Sequence, residues 1–210
     1  MSMSEPNDRS AHWDHVYQQK SSTAASWYRS HLETSLRLLI EAGLDASSRV
    51  IDIGGGASTL VDDLLDLGVG AIAVLDLSAA SLEVSQARLG ARAEQVAWLT
   101  GDVSRIALPE AEFTHWHDRA VMHFLTDAQD VRAYAAQAAR AVAPGGHVVI
   151  GGFAPDGPER CSGLPVARRS AEDIAAALGP AFQLVTTAAE VHVTPGGNAQ
   201  SFAYALLQRT

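Results

Sequence analysis

The sequence predicts an α/β protein with a mostly parallel sheet, helices on both faces and an antiparallel hairpin at its C-terminal end. Three observations predict it. Val50-Ile51-Asp52-Ile53-Gly54-Gly55-Gly56-Ala57-Ser58 is an apolar run that passes through a glycine turn into a helix, the opening unit of an open parallel sheet. Apolar runs of strand length then alternate with helical stretches as far as residue 153, the order that builds parallel strands joined by crossovers. Finally, Thr194-Pro195-Gly196-Gly197-Asn198 separates two further strand-like runs and reads as a hairpin turn.

In chain order, residues 1–9 read as a disordered tail and 10–210 as a single domain, long enough for one sizeable core. A short helix is expected at 11–19 and a longer one at 25–42. Leu32, Leu36, Leu39 and Ile40 recur on one face of the second, and Gly43 ends it. There follow strand 49–53, helix 58–67, strand 71–75, helix 79–89, strands 95–99 and 112–117, helix 127–141 and strand 147–153. Helix 170–178 precedes the hairpin strands 182–193 and 200–208, which makes seven strands. Residues 154–169, with three prolines, two glycines and Cys161, are the one long irregular stretch. They leave the C-terminal end of a strand, the edge where ligands bind in such sheets.

The glycine turn lets the backbone approach a ligand with no Cβ in the way. Its spacing departs from a dinucleotide fingerprint, because Thr59 stands where a third glycine is required. Asp52, just ahead of Gly54, repels a pyrophosphate and attracts an ammonium or sulfonium. S-adenosylmethionine carries both cations and no phosphate. Two further carboxylates end the next apolar runs. Asp76, followed by Leu77, is placed to accept ribose hydroxyls, and Asp102, followed by Val103, to accept from an adenine amino group.

Taken together, VIDIGGGAS, VLDLS, GDV and VAPGGHVVI resemble the class I S-adenosylmethionine-dependent methyltransferases over about residues 13–207. The resemblance implies a Rossmann-like seven-stranded sheet, S-adenosylmethionine as cofactor and S-adenosylhomocysteine as product. It implies that Asp52, Gly54, Gly55, Gly56, Asp76, Leu77, Asp102 and Val103 hold the cofactor. Trp13-Asp14-x-x-Tyr17, Ser26-Trp27-Tyr28 and Asp118-Arg119-Ala120 resemble a narrower set, the small WDxxY-type group related to protein-lysine and thiopurine-type methyltransferases. That likeness implies an N-terminal helical lid over 10–45, with Trp13, Tyr17 and Trp27 stacked over the cofactor to exclude water. It also implies a substrate loop at 154–169.

The cofactor supplies the reactive group in methyl transfer, and the protein supplies position. The end of strand 112–117 is the expected reacting edge. His117, Arg119 and His123 are the candidate catalytic residues there, His117 also lining the cofactor site. A histidine suits proton removal near neutral pH, and Arg119 offers a planar fork for a substrate carboxylate. Asp118 reads equally as a helix N-cap. His192 on the first hairpin strand joins the expected pocket mouth. His115 and His117 share a strand face, but spacing supplies no third ligand, so no metal is expected.

Net charge is −9, with no basic cluster beyond Arg168-Arg169, which argues against a nucleic-acid partner. A small molecule is the expected substrate. A protein lysine is the alternative, since acidity draws a basic surface, and a non-catalytic S-adenosylmethionine-binding module is the third reading. Cys161 is the single cysteine, so no internal disulfide is possible. No apolar run reaches the roughly 18–20 residues of a membrane span, and the polar start lacks a signal-peptide core. A cytoplasmic protein with no membrane partner is expected.

Overall fold

The computed structural model describes residues 6–19 and 25–210. Ahead of the sheet lie α1 (Pro6–Gln19) and α2 (Glu33–Glu41). The sheet and its crossovers follow as β1 (Arg49–Ile53), α3 (Leu60–Asp66), β2 (Ala71–Asp76), α4 (Ala79–Leu89), β3 (Val96–Thr100), β4 (Phe113–Arg119), α5 (Ala128–Ala141) and β5 (Val142–Phe153). The last third holds a small hairpin, β6 (Arg160–Cys161) and β7 (Leu164–Pro165), then α6 (Ala171–Leu178), β8 (Phe182–Val193) and β9 (Ala199–Arg209).

Seven strands form one sheet in the order β3-β2-β1-β4-β5-β9-β8. β9 inserts between β5 and β8 and runs antiparallel to both, while the other neighbours pair in parallel. The apolar residues of α2, α3 and α4, including Leu38, Leu39, Leu60, Leu64 and Leu82, cover one face. Tyr134 and Ala138 of α5 and Ile174 and Leu178 of α6 cover the other. Local chemistry sets the helix starts. Ser78 accepts from the Ser81 N–H at 3.2 Å, and Ser170 and Asp173 form a reciprocal capping box on α6.

Several boundaries depart from the sequence pattern, among them β5, which begins at Val142 rather than at 147. Helix α1 begins at Pro6, so residues 6–9, expected as tail, are helical; residues 1–5 lie outside the described residues. Proline suits a helix start because its missing N–H is one the first turn leaves unpaired anyway. The helix expected over 25–42 is confined to Glu33–Glu41. Its N-terminal part is drawn into tertiary bonds instead, because the carbonyls of Ser26, Trp27 and Arg29 accept from His192, Arg119 and Thr59. β4 runs two residues past its expected end, through Arg119, so Asp118 is buried inside a strand rather than starting a helix. Residues 154–169 are not wholly irregular, since β6 and β7 pair within them.

Candidate active site

Strand order reverses between β1 and β4, whose crossovers lie on opposite sides, and a crevice opens at the strand ends there. A cavity of about 160 Å³ occupies it. Asp52, Gly54, Gly55, Asp76, Leu77, Asp102, Val103, His117 and Arg119 line its floor, and Trp13, Tyr17 and Trp27 its roof. The roof rings pack edge to face, Trp13 lying 5.9 Å from Trp27 and 5.1 Å from Phe124 between centroids. α1 is tied down behind them by the Ser78 hydroxyl, which donates to Asp14 at 2.5 Å, and by the Arg9–Asp130 ion pair at 2.8 Å.

The glycine turn divides its work. Gly54 has φ +67° and a Cβ there would lie 2.0 Å from Val121 Cγ2, so the position needs glycine on both counts. Gly56 does not line the cavity. Its N–H donates to Asp76 Oδ2 at 3.0 Å and its carbonyl accepts from Ser85. Gly56 thereby holds the Asp76 carboxylate in place. Asp76 Oδ1 accepts from the Ser78 N–H at 2.8 Å. Burial pushes the Asp76 carboxyl up to about 6, even against the stabilising bonds from Ser78 and Gly56. Asp102 Oδ1 is held by Ser104, through its N–H at 2.9 Å and its hydroxyl at 2.6 Å.

Register explains the next contact. Parallel pairing sets Asp52 opposite His117, and His117 Nδ1 donates to Asp52 Oδ1 at 2.7 Å. His117 Nε2 lies 2.8 Å from the Ser35 hydroxyl, and Ser35 itself has no exposed surface. Both ring nitrogens of His117 are thus engaged with 1% of its surface exposed, an arrangement that braces Asp52. Asp52 Oδ2 stays buried with no hydrogen-bond partner among the described residues. An unpaired buried carboxylate oxygen beside Gly55, whose missing Cβ leaves it open, is a ready acceptor for a ligand ammonium.

Arg119 sits at the opposite end of the floor. One row of the sheet aligns it with Gly151, and Gly151 with Tyr204; a Cβ on Gly151 would enter the Tyr204 ring. Arg119 Nε donates to the Tyr204 hydroxyl at 3.1 Å and Nη1 to the Trp27 carbonyl at 3.2 Å. Its guanidinium lies 4.6 Å from the Phe202 centroid. Glu190 Oε1 pairs with Arg29 at 3.1 Å and with Arg119 at 3.5 Å. Burial alone would raise Glu190, but a Thr34 hydrogen bond and both arginines hold it below the usual carboxylate range.

His123 lies behind the cavity wall, not in it. It packs against Phe124 and Phe153, with centroids at 4.3 and 4.9 Å, beside Arg169. Burial, reinforced by Arg119 and Arg169, lowers it to about 3, so it is neutral near pH 7. His192 is also displaced from its expected place at the pocket mouth: it is buried, and its Nε2 donates to the Ser26 carbonyl at 2.7 Å. Of the 154–169 stretch, Cys161 reaches the cavity wall, its thiol pushed up to about 11 by burial.

Ser35, Glu190 and Tyr204 went unnoticed in the sequence. Alternation on β8 gave no signal for Glu190: Val185, Val191 and Val193 mark the other phase as apolar in the sequence, yet they are exposed, and the phase shared by Phe182, Glu190 and His192 faces inward.

Residues 50–146 match a family model described as a methyltransferase domain. Mouse and human eEF1A lysine and N-terminal methyltransferases are similar at 29% over 121 residues and 27% over 120 residues. Each match covers 57% of this chain but only 17% of the relative's length. Among solved structures, N-methyltransferase NodS from Bradyrhizobium japonicum, in complex with S-adenosylhomocysteine, superposes with TM-score 0.71 at 17% identity, covering 93% of this chain and 97% of NodS. A structure from work on conversion of a disulfide bond into a thioacetal group during echinomycin biosynthesis gives TM-score 0.78 at 19% identity, covering 96% and 92%. At these identities the structural likeness establishes the fold.

Proposed function

We propose that the chain is a class I S-adenosylmethionine-dependent methyltransferase that methylates a small-molecule nucleophile, a reading supported by the family-model match, the curated relatives and the shared fold. The residues present fit the cofactor, by two observations: the orphaned Asp52 Oδ2 and a glycine turn that side chains would fill. When bound, S-adenosylmethionine supplies an activated methyl group on a sulfonium. Asp52, held by His117, accepts from the ammonium. Asp76 accepts from the ribose hydroxyls, and Asp102 and Val103 line the adenine end. Trp13, Tyr17 and Trp27 exclude water from above.

The single observation that carries the small-molecule reading is the charge on the acceptor side. Carboxylates end β1, β2 and β3, and β4 ends in Arg119, with Arg29 beside it. A lysine ammonium entering there meets like charge. The second reading, protein-lysine methylation, is favoured by the eEF1A methyltransferase likeness. Incubating the protein with a deuterated methyl donor and a cell extract separates them. The label is expected in the low-molecular-weight fraction by mass spectrometry; label confined to protein lysines would replace the proposal with its rival.

The Asp76 carboxyl gives a pH dependence. Its native value of about 6 lies above the ordinary carboxylate value, so the free protein takes up a proton as pH falls through 6. The protonated form is a weaker acceptor for ribose hydroxyls. Affinity for S-adenosylhomocysteine is therefore expected to fall about tenfold per pH unit below 6. Asp76→Asn should bind more weakly at pH 7.5 and lose the dependence. Calorimetric titration between pH 5 and 8 measures both, and a flat wild-type profile would remove Asp76 from the ribose site.

A further inference from the structure

Arg119 and Arg29 share the Glu190 carboxylate, and Arg29 also pairs with the exposed Glu33 at 3.8 Å. Glu190 Oε1 lies 3.1 Å from Arg29 Nη2 and 3.5 Å from Arg119 Nη2. The Arg119 side chain is 6% exposed, so its donors are largely shielded from water, where an unmatched one is costly. The unpaired donors coincide with it. Arg119 Nε and Nη1 are taken by Tyr204 and Trp27, whereas Arg119 Nη2 and Arg29 Nε are buried with no hydrogen-bond partner among the described residues. Both arginines line the cavity. Two guanidinium groups, each with a buried N–H lacking a partner among the described residues and each lining the cavity, call for an anion with two acceptor oxygens, which a guanidinium binds in a forked geometry.

We propose that Arg119 and Arg29, sharing Glu190, form a carboxylate-binding subsite whose occupant is the methyl acceptor. The inference rests on the methyltransferase reading and narrows its substrate to small molecules carrying a carboxylate. Sheet order supports the acceptor as the source. Asp102, Asp76 and Asp52 end three consecutive strands, β3, β2 and β1, and match the hydroxyls and amine of the cofactor. Arg119 ends β4, beyond them. Aromatic neighbours at the same end, Phe124 and Trp27, leave room for an apolar body attached to the charged group.

S-adenosylmethionine also contains a carboxylate, and the experiment separates the two sources. In the first arm, S-adenosylhomocysteine and 5′-methylthioadenosine, which lacks the amino-acid end, are titrated into wild type and Arg119→Met. Because Arg119 also holds the Trp27 carbonyl, both affinities are expected to shift together in the variant, leaving their ratio as in wild type. A tenfold or greater loss for S-adenosylhomocysteine alone would assign the subsite to the cofactor and overturn the proposal. In the second arm, benzoate and phenylacetate are compared with benzamide and phenylacetamide on the S-adenosylhomocysteine-loaded protein. Carboxylates are expected to bind at least tenfold more tightly than their amides in wild type and equally in Arg119→Met.

Glu190→Gln removes the competing anion and is expected to tighten carboxylate binding several-fold, a gain that misfolding cannot mimic. If Arg119→Met does not fold, this gain decides the matter. No carboxylate preference in wild type, no probe binding, or no gain in Glu190→Gln overturns the subsite. Failure of S-adenosylhomocysteine to bind wild type instead overturns the methyltransferase reading itself, so the two failures are distinguishable.

Discussion

Gly56→Ala is expected to weaken S-adenosylhomocysteine binding by about a hundredfold, although Gly56 touches no ligand-facing surface. The added Cβ would lie 1.9 Å from Ser81 Oγ, 2.5 Å from Ser81 Cβ and 2.6 Å from Asp76 Oδ2. Rotating the serine hydroxyl relieves the first clash only. The others require α4 or the Asp76 carboxylate to move, and either movement breaks the Gly56 N–H bond to Asp76. Overpacking of this kind costs about 1–3 kcal/mol, and about 2.8 kcal/mol is a hundredfold in affinity. Gly68→Ala is the control: its φ is +70° but nothing lies within 4 Å of its Cβ, so it carries backbone strain without touching the site. Calorimetry with both variants tests the assignment, and an unchanged affinity in Gly56→Ala would show that Asp76 does not depend on the turn.

Asp118→Ala is expected to have the largest effect on stability, about 3–5 kcal/mol. Asp118 has no exposed surface and accepts three hydrogen bonds, from the Val121 N–H at 2.8 Å, the Met122 N–H at 3.0 Å and the Tyr134 hydroxyl at 2.7 Å. Tyr134 in turn accepts from Trp116 Nε1 at 2.9 Å, so the carboxylate terminates a relay between β4 and α5. Truncation leaves three buried donors without a partner. Urea unfolding of variant and wild type measures the loss; a difference under about 1 kcal/mol would mean that water replaces the carboxylate.

The same residue carries a pH signature. Burial pushes Asp118 up to about 6, above its unfolded value near 4. The folded state then binds a proton that the unfolded state does not, so this stabilising contribution is complete below about pH 4 and is lost as pH rises through 6. Asp76 titrates in the same window. The contribution of Asp118 is therefore read as the difference in slope between wild type and Asp118→Asn.

What the sequence made legible was local. An apolar run, a glycine turn and a carboxylate at each strand end are signals contained within about ten residues, and they located Asp52, Asp76 and Asp102 on one cavity wall. The hairpin was readable from its Pro-Gly-Gly-Asn turn for the same reason. What stayed hidden depends on pairs far apart in the chain. His117 and Ser35 are 82 residues apart, and Arg119 and Tyr204 are 85. Whether a buried histidine is a base or a brace is decided by what fills its second nitrogen, and periodicity carries no trace of that. The segment at 26–32 failed as a helix for a related reason: its carbonyls are claimed by side chains from three distant elements.

That segment has a consequence for how the molecule is made. The stretch above the crevice is translated well before the residues that fasten it, Glu190 and His192, which lie 161 and 166 residues later. A nascent chain can lay down the glycine turn and its carboxylates early, because β1, β2 and α4 are neighbours in sequence. Closure waits for β8 and β9 to emerge and for β9 to pair beside β5. A polypeptide stopped short of β8 keeps the ties of α1 to Ser78 and Asp130 but lacks the fasteners of the 26–29 stretch.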